Sequence, residues 1–147
     1  MYQFNFPTTI LYGENSLNDL PAVLKNRGLH NFLLVTDKGI VRAGVSDTVF
    51  NTLSSKTLTL DIFDDVHANP IEEDVTKGVA AYKNGKYDGL IALGGGSAID
   101  VAKTIRFMVK HKPPLSQYDN VIIFIPDDHN LWMKTGSKNL LYTPVLK

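Results

Sequence analysis

Gly94-Gly95-Gly96-Ser97 joins an apolar run, Asp88-Gly89-Leu90-Ile91-Ala92-Leu93, to a stretch in which Ile99, Ala102, Ile105, Arg106 and Val109 recur at helical spacing. The apolar run has the length and continuous hydrophobicity of a buried parallel strand. The glycines therefore lie between the carboxyl end of a strand and the amino end of a helix expected over 97–110. Such a junction presents unpaired backbone N–H groups and the positive end of the helix dipole, a combination that suits a phosphate. Glycine removes the side chains that would hold a pyrophosphate away, and Ser97 can add a hydroxyl donor or cap the helix. The pattern is neither G-x-G-x-x-G nor a P-loop, because Ala98 and Ile99 follow Ser97 and no Gly-Lys-Ser/Thr closes the turn. A turn that serves only strand–helix packing needs fewer glycines than this, so the phosphate is the favoured reading.

The segments around this unit repeat its logic. Residues 2–6 alternate aromatic and amide side chains, and Thr9-Ile10-Leu11-Tyr12 resumes extended character after Pro7, which predicts an antiparallel strand pair at the amino end. Asn15 or Ser16 can cap a helix through about Arg27, with Leu17, Leu20, Val23 and Leu24 on one face. Asn31-Phe32-Leu33-Leu34-Val35-Thr36 reads as a buried strand that delivers Asp37 to its carboxyl end, where open α/β sheets bind their ligands. A carboxylate there can accept from a ribose diol or cap the helical segment Lys38–Ala43, and the residues alone leave both roles open.

Ser46 can cap a further helix, Asp47–Leu53, and 57–63 alternates like a strand. Asp64, Asp65 and His67 follow; solvated loop charges explain them better than a metal site. Asn69-Pro70 predicts a helix start, with Asn at the cap, Pro in the first turn and Glu72, Glu73 and Asp74 at the positive end. Val121-Ile122-Ile123-Phe124-Ile125 reads as one more buried strand. The alternation of strand and helix predicts a doubly wound, mostly parallel α/β sheet with a short antiparallel start. Residues 127–147 break the pattern, with apolar residues such as Leu131, Trp132 and Leu140 at no clean period, and are expected as a tail. Asp127-Asp128-His129 makes too thin a metal site to argue.

Composition narrows the function. At 147 residues, the chain can form one domain that buries roughly 70% of its unfolded surface. It is 44% hydrophobic and 20% charged with a formal net charge of zero, which gives no electrostatic reason to expect nucleic acid or an anionic membrane as a partner. Cysteine is absent, which excludes disulfides, zinc-thiolate sites and cysteine nucleophiles. No apolar run approaches the ~20 residues of a membrane span, and the start lacks the features of a secretory signal. A cytoplasmic location is the expectation.

Taken together, these residues resemble the iron-containing (group III) alcohol dehydrogenases, relatives of glycerol dehydrogenase and dehydroquinate synthase. Gly94-Gly95-Gly96-Ser97-x-x-Asp100-x-Ala102-Lys103 is similar to the family's nucleotide-binding signature. Leu34-Val35-Thr36-Asp37, Phe63-x-x-Val66-x-x-Asn69-Pro70, Phe6-Pro7 and Tyr12-Gly13 are similar to other stretches of its cofactor domain. The resemblance covers roughly residues 2 to 126. It implies a Rossmann-like, dehydroquinate synthase-like amino-terminal domain over 1–126 that binds NAD in preference to NADP. Gly94, Gly95, Gly96 and Ser97 would hold the pyrophosphate, and Asp37 would meet the adenosine ribose and repel a 2′-phosphate. Asn69 would lie beside the cofactor, and Asp100 would line or brace the floor of the cleft. Lys103 also matches, with a helix-surface or structural role expected for it. Dimerisation through the first strands is also implied by the resemblance; composition does not establish it.

The departure from the family is equally informative. After Ile125-Pro126 the family continues with a Thr/Ser- and Gly-rich cofactor segment. A helical domain then supplies an Asp and three His for iron or zinc, which polarises the alcohol oxygen. Here Pro126 is followed by Asp127-Asp128-His129-Asn130, and none of those ligands can be assigned. The expectation is the NAD-binding half of a metal-dependent alcohol dehydrogenase. It would act on a small alcohol or aldehyde only within an intact enzyme and be inactive alone, with no catalytic or metal-ligating residue of its own. The competing expectations are a stand-alone nucleotide-binding or interaction module without redox chemistry, and a phosphosugar or polyol-phosphate enzyme of the wider superfamily.

Overall fold

A computed structural model of the chain describes residues 9–53, 58–118, 130–135 and 139–144. Its centre is the strand that precedes the glycines, β4 (Gly89–Gly94), buried along its whole length. The other strands are β1 (Thr9–Tyr12), β2 (Asn31–Val35), β3 (Thr59–Phe63), β5 (Asn130–Thr135) and β6 (Asn139–Pro144), and the sheet order is β1-β5-β6-β4-β2-β3. β3, β2 and β4 are parallel, with Leu34 opposite Ile62 on one side and Ile91 on the other. The helices between them are α1 (Leu20–Asn26), α2 (Lys38–Arg42), α3 (Val45–Leu53), α4 (Glu72–Gly85) and α5 (Gly96–Met108).

Alternation along the buried strands sends side chains to two faces. Phe32, Leu34, Ile91 and Leu93 pack with Leu20 and Leu24 of α1 and Val49 and Leu53 of α3. Leu33, Val35, Leu90 and Ala92 pack with Val75 and Tyr82 of α4 and Ile99, Ala102 and Ile105 of α5. Each fully buried Leu, Ile or Phe is worth about 1.5–3 kcal/mol. These two layers, more than helix propensity, therefore hold a helix as short as α1 in place. The result is the expected doubly wound α/β architecture.

β2 is pinned to β4 at both ends. Asp88 accepts from the backbone N–H of His30 and of Asn31, each at 2.9 Å, where β2 begins. Past its far end, the buried Thr36 donates its hydroxyl to the Leu93 carbonyl at 2.7 Å, and its N–H reaches Phe63 O at 2.9 Å. The carboxyl ends of β2, β3 and β4 are thereby aligned at the edge where Asp37 and the glycines emerge.

Several boundaries differ from those expected. The helix expected to run from residue 15 or 16 to Arg27 is a 3-10 turn, Ser16–Asp19, followed by α1. Pro21 lies in the first turn of α1, where its missing N–H costs nothing. Residues 1–8 and 121–125 lie outside the described residues, so the expected antiparallel start and the strand at 121–125 fall there. β1, the second member of the expected pair, runs parallel to β5. Asn130–Thr135 and Asn139–Pro144, expected within a tail, form antiparallel strands that fill the sheet between β1 and β4. Six-residue strands are too short for a periodicity argument to find, and the free side of β4 offers backbone partners whatever the side-chain pattern.

Candidate functional site

The glycine turn takes its shape from Gly94 alone. Gly94 has φ +140°, a conformation that L residues rarely adopt, and a Cβ there would lie 3.4 Å from the Ala98 Cβ. Gly95 has φ −91° and ψ −162° and caps α5, with Gly96 as the first helical residue. A Cβ built on either Gly95 or Gly96 meets no atom within 4 Å. The fold thus requires one glycine of the three, and the other two line open space. The Ile99 N–H donates to Gly95 O at 3.3 Å, so the N–H groups of Gly96, Ser97 and Ala98 precede the first intrahelical bond and face that space without a helical acceptor.

Ser97 does not cap α5. Its hydroxyl donates to the Ala68 carbonyl at 2.7 Å and ties the glycine turn to the loop between β3 and α4. That loop is held from inside by Asp74, whose side chain is fully buried. Asp74 accepts from the His67 N–H at 3.2 Å, the Ile71 N–H at 3.3 Å and the His67 ring Nδ1 at 2.6 Å. Burial pushes the Asp74 carboxyl up, but the His67 ring, the two backbone N–H groups and the His67 charge together outweigh it and hold it below the usual carboxylate range.

This network also corrects the expected start of α4. The helix begins at Glu72 with Ile71 as its N-cap. Asp74 closes the turn from within the helix, which leaves Asn69 and Pro70 in the loop. Asn69 is exposed, one residue from the carbonyl that Ser97 holds.

Of the two roles that the sequence left open for Asp37, the structure shows the helix cap. Its Oδ1 accepts from the N–H groups of Gly39 at 2.7 Å and Ile40 at 3.1 Å and caps α2. Its Oδ2 faces the glycine turn, 3.8 Å from where a Gly94 Cβ would stand, and accepts no hydrogen bond among the described residues. Asp37, the 68–69 loop and residues 94–97 therefore converge on one cleft at the carboxyl edge of the sheet, as open α/β sheets dispose their ligand sites. Asp100 stands apart. Its side chain is 73% exposed on α5 and lies 3.7 Å from Lys103. It makes no hydrogen bond or ion pair to Asp37, Asn69 or the glycines among the described residues.

The acidic loop is an ion-pair cluster. Lys38 and Lys77 meet Asp65 at 2.8 and 3.1 Å, and among the described residues no three His, Cys, Asp or Glu side chains converge as a metal site would require. Asp127-Asp128-His129 lies outside the described residues. Thr36 and Asp74 are the functional supports that sequence reasoning missed. A buried threonine at a strand end carries no pattern, and Asp74 is indistinguishable in sequence from the solvated carboxylates Glu72 and Glu73 beside it.

The open glycine turn at a helix amino end and the Asp37 carboxylate after β2 lie at the carboxyl edge of the sheet, where open α/β sheets take their ligands. The sequence profile of the iron-containing alcohol dehydrogenases matches residues 7–134, and the chain belongs to that family. It is 40% identical over 110 residues to a 4-hydroxybutyrate dehydrogenase of Cupriavidus necator, covering 75% of this chain and 28% of that protein. It is 32% identical over 118 residues to alcohol dehydrogenase 4 of Schizosaccharomyces pombe, covering 80% and 28%. The chain thus spans less than a third of the length of these relatives. Its fold matches sulfoacetaldehyde reductase from Bifidobacterium kashiwanohense in complex with NAD+, with a TM-score of 0.76 at 22% identity over 90% of this chain and 35% of that one.

Proposed function

We propose that this chain is the NAD-binding portion of a metal-dependent alcohol dehydrogenase, with β5 and β6 added to the expected unit of residues 1–126 because they complete its sheet. The observation that carries this reading is the empty space over Gly95 and Gly96. Among the described residues nothing needs glycine at either position, and a pyrophosphate does need the close approach that only glycine allows. The residues fit the cofactor as follows. The N–H groups of Gly96, Ser97 and Ala98 face the pyrophosphate, with Gly94 shaping the turn. Ser97 contributes through its backbone and through the loop that its hydroxyl holds. Asp37 Oδ2 accepts from the adenosine ribose and Asn69 lies beside the cofactor, while Asp100, exposed and turned to Lys103, is given no part in the site.

The nicotinamide, when bound, supplies the hydride acceptor or donor. A metal does not fit the described residues, which offer no converging donor set. The chain is proposed to bind the cofactor without turning over an alcohol or aldehyde by itself. NADH titration of the purified chain, followed by the fluorescence of the nucleotide, tests the reading. Saturable binding is expected in the wild type and its loss in Gly96→Asp, which puts a carboxylate into the phosphate space. Equal affinity in the two proteins overturns the assignment.

A further inference from the structure

Asp65 lies across an antiparallel bridge from Asp37, so the loop after β3 runs beside the carboxylate assigned to the ribose. Each Asp65 oxygen is taken by an ammonium: Oδ1 by Lys38 at 2.8 Å and Oδ2 by Lys77 at 3.1 Å. Lys77 is held from its other side by Glu73 at 2.9 Å. Lys38 is the residue directly after Asp37, and its Nζ is drawn away toward Asp65 although the side chain is 59% exposed. The rim therefore sets the carboxylates of Asp37, Asp64, Asp65 and Glu73 against two ammoniums, both already engaged.

We propose that Asp65 is a specificity-determining residue for the nucleotide: by engaging Lys38 and Lys77 it denies a 2′-phosphate its counter-cations and so favours NAD(H) over NADP(H). This rests on the dinucleotide reading above. A phosphate monoester carries a charge of about −1.5 to −2 at neutral pH and needs charge-assisted donors to offset its desolvation. Lys38 and Lys77 are the cations that Asp65 holds beside its bridge to Asp37, and while Asp65 is ionised both are spent on it. Their state at neutral pH supports this. Hydrogen bonds from Lys38 and Lys77, with their charges, hold the Asp65 carboxyl down at about 2, and the same contacts raise both lysines. All three groups are charged across the physiological range. Exposed ion pairs are individually weak, so Asp65 acts alongside Asp37, each through a different group: Asp37 repels the phosphate, and Asp65 withholds its partners.

The test titrates NADH and NADPH into the full chain as wild type, Asp65→Asn, and Asp65→Asn with Lys38→Ala and Lys77→Ala, with circular dichroism to verify folding. The ratio of NADPH to NADH dissociation constants is expected to fall about three- to tenfold in Asp65→Asn, the range that one or two released ion pairs can supply. It should return to the wild-type value when both lysines are removed. Glu73→Gln, which loosens only Lys77, should shift the ratio in the same direction by less. An unchanged ratio in a folded Asp65→Asn that still binds NADH overturns the proposal, as does a gain that persists without the lysines. If the wild type binds neither nucleotide, the dinucleotide reading fails and this one falls with it.

Discussion

Alanine at each of the three glycines separates what the fold needs from what a ligand needs. Gly94 sits at φ +140°, so Gly94→Ala forces an L residue into a sparsely populated region at a cost of about 1–3 kcal/mol, and the Ala98 Cβ at 3.4 Å leaves little room to relax. Gly95 lies at φ −91° and Gly96 is the first residue of α5. Alanine adopts both conformations, and neither new methyl meets an atom within 4 Å. Gly96→Ala should therefore leave stability unchanged or raise it by about 0.4–1 kcal/mol, through the reduced entropy of the unfolded chain. Gly95→Ala, at the N-cap of α5, should lower it by less than about 1 kcal/mol.

Binding should fall in both. A methyl in the open space holds the phosphate off the helix amino end and weakens at least one charge-assisted hydrogen bond of about 1.5–3 kcal/mol, or about 10- to 100-fold in NADH affinity. Urea denaturation and NADH titration on the same three variants measure both quantities. The reasoning is refuted if Gly95→Ala and Gly96→Ala lose more than about 1 kcal/mol of stability, because the glycines would then serve the fold. It is equally refuted if both bind NADH as the wild type does.

Asp74→Asn should cost about 2–4 kcal/mol in urea denaturation, since a fully buried carboxylate that accepts three hydrogen bonds loses its charge. It should also weaken NADH binding by releasing the loop to which Ser97 is tied. Asp37→Gly should lose the side-chain cap on α2 at a cost of only a few tenths of a kcal/mol, and raise the affinity for NADPH relative to NADH in paired titrations. Acid should destabilise the chain through Asp65 and Asp74, both of which bind protons less readily folded than unfolded. The Asp65 contribution is complete above its ordinary value of 3.8 and fades as pH falls through about 2. Thermal melts from pH 5 to 2 should show the midpoint falling more gently in Asp65→Asn than in the wild type.

What was legible in the sequence is what depends on near neighbours along the chain. The apolar runs of β2 and β4 are buried on both faces and need no partner to be recognised, and the parallel topology follows from the helices between them. The glycine turn was legible for the same reason, because its chemistry resides in consecutive residues. The helix start expected at Asn69 differs from the observed one because Asp74, held by His67 through contacts that local pattern does not encode, accepts from the Ile71 N–H at the start of α4. Ser97 was assigned a donor role toward the ligand or its own helix, and its partner is the Ala68 carbonyl, 29 positions away. Asp37 held two readings in sequence because a carboxylate has two oxygens, and the structure uses Oδ1 for the helix and leaves Oδ2 to the cleft. β5 and β6 were missed because their place depends on the free side of β4 rather than on their own periodicity.

The central claim is that a dinucleotide sits across the glycine turn and the end of β2. Backbone amide shifts of the isotopically labelled chain, recorded by NMR during titration with NAD+, test it most directly. The account predicts saturable shifts concentrated at Gly95, Gly96, Ser97 and Ala98, with a second group at Asp37 and Asn69. It is contradicted if NAD+ moves none of these amides, or if the shifts cluster at the groove between α1 and α3 lined by Asn18, Pro21, Thr48 and Asn51.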